Sequence, residues 1–204
     1  MPYSKDHKRK VRARIVEAAR KLFNSHGFDN VSIDQVMAAA GLTRGGFYAH
    51  FASKEDLFAA ATASFLDGRG AVWREEAGVD PTREQVEMAR RMVRAYLSDA
   101  HLARTEDQCP LIAYATDVAR SGRQVRESYA QLLEGMVTLF ERNLPEAGAM
   151  ARQKAYSLTA LCVGGMVVAR ALPGTPMADD IRQAALADTE ALFFTGGDEQ
   201  SRAA

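Results

Sequence analysis

Apolar residues recur at spacings of three and four along almost the whole chain, and strict apolar–polar alternation is scarce, which predicts helices rather than strands. In the first segment Val11, Ile15, Ala18, Ala19, Leu22 and Phe23 form one apolar stripe. Lys8, Arg9, Arg12, Arg14 and Lys21 lie largely off it. His26-Gly27 closes that helix with the glycine that a C-cap favours. Further helices are expected over about 54–76, 82–103, 110–120, 123–143, 146–172 and 178–194, separated by Gly, Pro, Asn and Asp clusters. Asp80-Pro81 and Cys109-Pro110 read as the openings of two of them, with Pro in the first turn. The tail from Gly196 to Arg202 is polar and reads as frayed. The sum is an all-α chain of about nine helices.

Between Val31 and Leu57 the local signals are dense. Ser32-Ile33-Asp34-Gln35 has the form of a capping box, flanked by Val31 and Val36 at the spacing of a hydrophobic staple. A short helix through Ala40 follows, and Gly41 breaks it. Thr43 is placed to cap a second short helix, with Leu42 and Phe47 as its staple pair. Ala52-Ser53 interrupts that helix, and Ser53 caps the next one. Two short helices joined by a tight glycine-containing turn are the pattern of a helix-turn-helix, whose second helix enters the DNA major groove.

Charge sharpens this picture. The 204 residues carry no net charge, yet residues 1–54 hold ten Lys and Arg against four Asp and Glu, a net +6. Residues 55–204 hold sixteen against twenty-two, a net −6. A basic head on an acidic body suits a polyanionic partner at one end. The polar start, Lys5 to Arg14, reads as an irregular arm that touches DNA backbone or an adjacent minor groove. Within the second short helix, Gly45 and Gly46 are poor helix formers. Their missing side chains let the helix N-terminus approach phosphates and base edges closely. Arg44 has two readings, bidentate reader of a guanine or a further phosphate contact. Phe47 and Phe51 read as core of the head.

The segments Arg14–Phe23, His26–Ile33, Val36–Phe51 and Lys54–Leu57 together resemble the TetR family of bacterial transcriptional regulators. The resemblance covers about the first quarter of the chain, in the part that carries the dense local signals. It implies a helix-turn-helix DNA-binding domain over residues 8–53, and a ligand-binding and dimerisation domain over 54–204. It implies that Tyr48, His50 and Lys54 clamp phosphates, alongside Ser32, Thr43, Arg44, Gly45 and Gly46 as DNA-binding residues. Its further implications are a homodimer on a palindromic double-stranded operator and a small-molecule effector whose binding releases the DNA. A Cys109-Pro110-Leu111 element is similar to one in a subset of the family.

For the body, candidate effector contacts are Phe65, Trp73, Met92, Tyr96, Tyr114, Met136, Phe140 and Met166, which suit a mainly apolar ligand but serve equally as core. The last two helices supply a two-helix-per-chain seam for a C2 dimer, with the small residues Ala160, Gly164, Gly165, Ala184 and Ala187 allowing close approach. Cys109 reads either as a thiol activated at a helix N-terminus, which would sense oxidants or electrophiles, or as a packing thiol. Cys162 reads as packing. Two cysteines and a polar N-terminus without an apolar leader point to a cytoplasmic chain. No stretch has the roughly 18 apolar residues of a membrane span. Zinc spacing, a phosphate loop and a nucleophile elbow are all missing from the sequence, so neither cofactor, metal nor catalysis is expected. A ligand-independent DNA-binding protein is the remaining alternative.

Overall fold

A computed structural model describes residues 5–194 as eleven α-helices and two short 3-10 helices, with no strand among them. The chain divides into two compact units, one of residues up to Arg69 together with Thr105–Leu132, the other of Gly70–Arg104 with the residues from Leu133 onward. The 8–53 motif lies wholly within the first.

In the first unit α1 runs Lys5–His26, and α2 runs Ile33–Ala39. The start of α1 is thus helical from Lys5, not an irregular arm. Gly27, at φ +76°, ends it as the sequence implied, its N–H bonding back to the Phe23 carbonyl at 2.9 Å. A 3-10 helix, Arg44–Ala49, follows α2, and α3 spans Lys54–Ala63. Ile15, Phe23, Phe47, Leu57 and Phe58 are fully buried between them. Phe23 meets Phe58 edge-on at 5.0 Å, and Phe28 lies 4.9 Å from the same ring.

The same unit contains α7 (Pro110–Ala113), α8 (Ala115–Arg120) and the beginning of α9 (Arg123–Asn143), preceded by a 3-10 turn at Thr105–Asp107. Arg20 is 0% exposed, yet charged. Its guanidinium donates to Glu17 and to Asp107 Oδ1 at 2.8 Å, and to the Glu106 carbonyl at 2.9 Å. Asn24, one turn on, donates to the carbonyls of Glu106 and Gln108. Asp117 accepts the Phe28 N–H at 2.9 Å. Segment 105–117 is therefore clasped to both ends of the C-terminal half of α1.

In the second unit α5 (Val86–Tyr96) and α6 (Asp99–Ala103) pack with α10 (Gly148–Ala171) and α11 (Pro176–Phe193), while α4 covers Arg69–Glu76. Leu158, Cys162, Met166 and Ala169 make the inward face of α10. Gly165 also faces inward: a Cβ there would lie 3.0 Å from Ala185 Cβ and 3.4 Å from Leu97. That corrects its expected place at an outer seam. Gly164 is the exposed neighbour.

Three helices expected as continuous are broken, which raises the count above nine. The 54–76 segment is divided into α3, ending at Ala63, and α4, beginning at Arg69; at the junction a Cβ on Gly68 would sit 2.6 Å from the Ser64 carbonyl oxygen. Asp80 does not open the next helix. Its carboxylate takes Thr82 N–H at 2.9 Å and the Arg83 side chain at 3.2 Å, closing a local turn, and α5 begins only after Gln85. Ser98 then caps a separate α6 by accepting the His101 N–H. In 110–120, buried Tyr114 divides α7 from α8 as its hydroxyl donates to the Arg20 carbonyl at 3.0 Å. The polar tail lies outside the described residues.

Candidate nucleic-acid interface

The capping box at Ser32 forms as its residue types dictate. Ser32 Oγ accepts the Gln35 N–H at 3.2 Å, and Gln35 Oε1 accepts the Ser32 N–H at 2.7 Å. Val31 and Val36, the staple pair, are both buried. After α2 the chain reverses at Gly41, whose φ of +66° places it in the left-handed region that suits glycine. The Leu42 N–H returns to the Met37 carbonyl at 2.8 Å, and the Arg14 guanidinium donates to the Ala40 carbonyl. The turn is therefore fixed from two sides.

The second element of the motif is 3-10 rather than α. Phe47 is buried, and its carbonyl accepts the N–H of both His50 and Phe51. Phe51, 2% exposed, stacks on it at 5.7 Å and carries the Arg12 guanidinium 4.2 Å above its ring. These two rings anchor the element in the core, as expected, and turn the opposite side outward. Thr43, Arg44, Gly45, Tyr48 and Ala49 form that exposed side. Thr43 has the extended backbone of a cap, but its hydroxyl makes no capping bond.

Gly45 and Gly46 are not demanded by the fold. Neither has a positive φ. A Cβ on Gly45 would meet nothing within 4 Å, and one on Gly46 would make ordinary contact with Met37 at 3.6 Å. The protein's own packing leaves room for side chains at a place where alanine would be the better helix former.

Around this bare strip stand the other candidate residues. Tyr48 is 63% exposed, its ring edge-on to Phe47. Lys54 opens α3 with its ammonium 4.2 Å above the Phe28 ring, behind the Ser53 cap that accepts the Asp56 N–H. His50 is half-buried, and its Nδ1 has no hydrogen-bond partner. Desolvation, then the charges of Lys8 and Arg12, hold its pKa below the ordinary value. A phosphate beside it would oppose all three effects.

Two features have no local sequence signal. Arg44 is paired with Asp34 on α2. The Arg20 clasp spans 87 positions, although Arg20 and Asn24 share the stripe of Val16 and Phe23, and polar residues inside an apolar stripe were the available clue.

The effector candidates are distributed between the units. Phe65 and Tyr114 belong to the first, where Tyr114 stacks 4.8 Å from Phe58. Trp73, Met92, Tyr96, Met136, Phe140 and Met166 belong to the second. There Trp73 and Tyr96 form a ring cluster with His101, at centroid distances of 5.0–6.0 Å. Met136, Phe140 and Met166 are buried. Cys109 occupies the cap of α7 and is 5% exposed. Tyr129, whose hydroxyl donates to the Leu111 carbonyl, has its pKa pushed up to about 12 by burial and then by the charge of Cys109. Cys162 is fully buried, which raises its thiol pKa. Among the described residues no group of three His, Cys, Asp or Glu side chains is disposed to hold a metal, and no helix is long and apolar enough to cross a membrane.

The geometry of α2, the Gly41 turn and the 44–49 element defines a helix-turn-helix DNA-binding domain. Residues 15–61 match the family model described as bacterial regulatory proteins, tetR family, so the similarity to that family lies in this domain. An HTH-type transcriptional regulator of Bacillus subtilis, YfiR, is 38% identical over 64 residues, 31% of either chain. The chain spans about a third of the length of the curated relatives it matches. Those relatives are HTH-type transcriptional regulators or repressors. The all-helical fold is that of the crystal structure of E. coli NemR in reduced form (19% identical, TM-score 0.68, covering 91% of this chain and 99% of that one). A SmeT–triclosan complex has the same fold (23% identical, TM-score 0.60, covering 92% and 93%).

Proposed function

We propose that this protein is a ligand-responsive transcriptional regulator that binds a palindromic operator as a homodimer and is released from it by a small, mainly apolar effector. Residues 8–53 bind DNA, and residues 54–204 bind the effector and the second copy. The observation that carries the DNA reading is the pair Gly45-Gly46: Gly45 exposed and Gly46 half-buried, both unforced by backbone or packing, and flanked by Arg44, Tyr48, His50 and Lys54. A helix start without side chains accepts close approach of a phosphate-lined groove. Arg44 is the base reader, while Tyr48, His50 and Lys54 position the element on the backbone, with Ser32 and Thr43 at the caps.

Dimerisation is supported by the outward faces of α10 and α11. Ala160, Gly164 and Val168 are exposed on one, Ala184 and Ala187 on the other, so helices can approach closely. A small apolar effector is supported by the triclosan bound in the SmeT structure and by the aromatic and Met side chains of the second unit. Selection of bound sequences from a randomised duplex library tests the reading. It should return an inverted repeat whose half-sites lie about one helical turn, ~34–36 Å, or a multiple apart. Enrichment of no sequence, or of a single half-site by a monomer, contradicts it.

A further inference from the structure

Beside the proposed reading helix, and within the first unit, lies a concavity of about 420 Å³. Its floor is apolar, made by Val11 of α1, Met37 of α2 and Leu42 of the turn. Its rim is polar and basic, made by Lys8, Thr43 and His50. His7 and Ala49 complete the wall. Three properties of this hollow coincide. The volume falls in the range of small-molecule sites, and apolar lining with a few convergent polar groups is their usual composition. His50, whose buried Nδ1 has no hydrogen-bond partner within the protein, is one of the lining residues and offers its ring to an occupant. The positive charge of Lys8 and Arg12 acts on that same ring, so the partner it favours is an anion. DNA backbone alone would satisfy the rim but not the apolar floor.

We propose that this hollow binds a small amphipathic anion, a carboxylate or sulfonate on an aryl or short alkyl body, and that its occupant excludes DNA. The apolar body covers Val11, Met37 and Leu42, and the anionic group accepts from His50 and Lys8. Exclusion follows from shared residues: Thr43, Gly46 and His50 line the hollow and also form part of the proposed DNA surface. This second step rests on the DNA reading above; the binding site itself does not. Such a ligand acts directly on the head, without any change transmitted from the body.

The test uses the full chain and 1-anilinonaphthalene-8-sulfonate as probe. Fluorescence should saturate at one probe per chain. The ring signals of His50, in protein carrying labelled histidine, should shift with the same midpoint. Ala49→Phe fills the hollow without altering charge and should weaken probe binding at least tenfold. Addition of a duplex taken from the selection should reverse the fluorescence and replace the probe-bound His50 signals with those of the DNA complex recorded without probe. If His50 is unmoved at saturating probe, the dye sits elsewhere and the site is refuted, a readout that needs no variant to fold. Probe and duplex bound together on one chain would refute the exclusion. A chain that binds no duplex even without the probe would mark failure of the DNA reading instead, with the His50 shift still deciding the site.

Discussion

Arg44 Nη1 donates to Asp34 Oδ2 at 2.7 Å, joining the proposed base reader to the helix before it. The two side chains are 64% and 56% exposed. An exposed pair of this kind contributes about 0–1 kcal/mol, whereas a bidentate guanine contact discriminates by about 1–3 kcal/mol, so a guanine within reach would take the guanidinium from Asp34. Asp34 holds Arg44 in place before binding and repels phosphates nearby. Asp34→Ala should therefore raise affinity for all duplex sequences severalfold. Arg44→Ala should cost about 1–3 kcal/mol on the selected site and relax preference at one base position per half-site. Affinities across a randomised library check both; an even loss for Arg44→Ala would make it a phosphate contact.

Arg20 is the strongest structural commitment in the first unit. Arg20→Ala removes a buried guanidinium but leaves Glu17 (51% exposed) and Asp107 (33% exposed) to water, so the loss should fall below the about 3–5 kcal/mol of a wholly buried pair. Arg20→Ala should lower the urea midpoint accordingly at neutral pH, with an unchanged slope. Asp107 gives the pH dependence its sign. Burial works against its charge, but Arg20 overcomes that and holds the carboxyl below its ordinary 3.8. Its contribution is present above that value and is lost as pH falls through the lower folded value. Urea unfolding at descending pH should show a steeper acid loss for the unmodified protein than for Asp107→Asn.

Much of the head was legible because its signals are local. Ser32, Gln35, Gly41 and Ser53 act on residues three or four positions away, and each does what its chemistry dictates. The body was less legible where distant contacts override periodicity. Tyr114 interrupts a helix to reach the Arg20 carbonyl, and Gly68 leaves no room for a Cβ against the Ser64 carbonyl at a break that apolar spacing alone would run through. Period also failed to say which side of α10 faces inward: Gly164 and Gly165 are neighbours in sequence, and only packing against Ala185 separates their roles. The Arg44–Asp34 pair depends on the angle between two elements, which no pattern encodes.

That separation yields a prediction on assembly. Gly164→Leu should leave folding intact and shift the mass in light scattering from dimer toward monomer, because a Cβ there meets nothing within 4 Å and the position is exposed. Gly165→Leu should instead overpack the interior against Ala185 and Leu97 and lower stability by about 1–3 kcal/mol. A dimer unaffected by Gly164→Leu would place the seam on another face.

The central claim is that Gly45 is glycine for the sake of DNA and not of the fold. Gly45→Ala should hold or raise thermal stability, by about 0.4–1 kcal/mol where the backbone suits both residues. The decisive measurement is duplex affinity of Gly45→Leu by fluorescence anisotropy, on the duplex selected by the unmodified chain, with thermal unfolding measured alongside. Gly45→Leu should keep native stability and lose at least tenfold in affinity, about 1.4 kcal/mol. Native stability with undiminished affinity would contradict it.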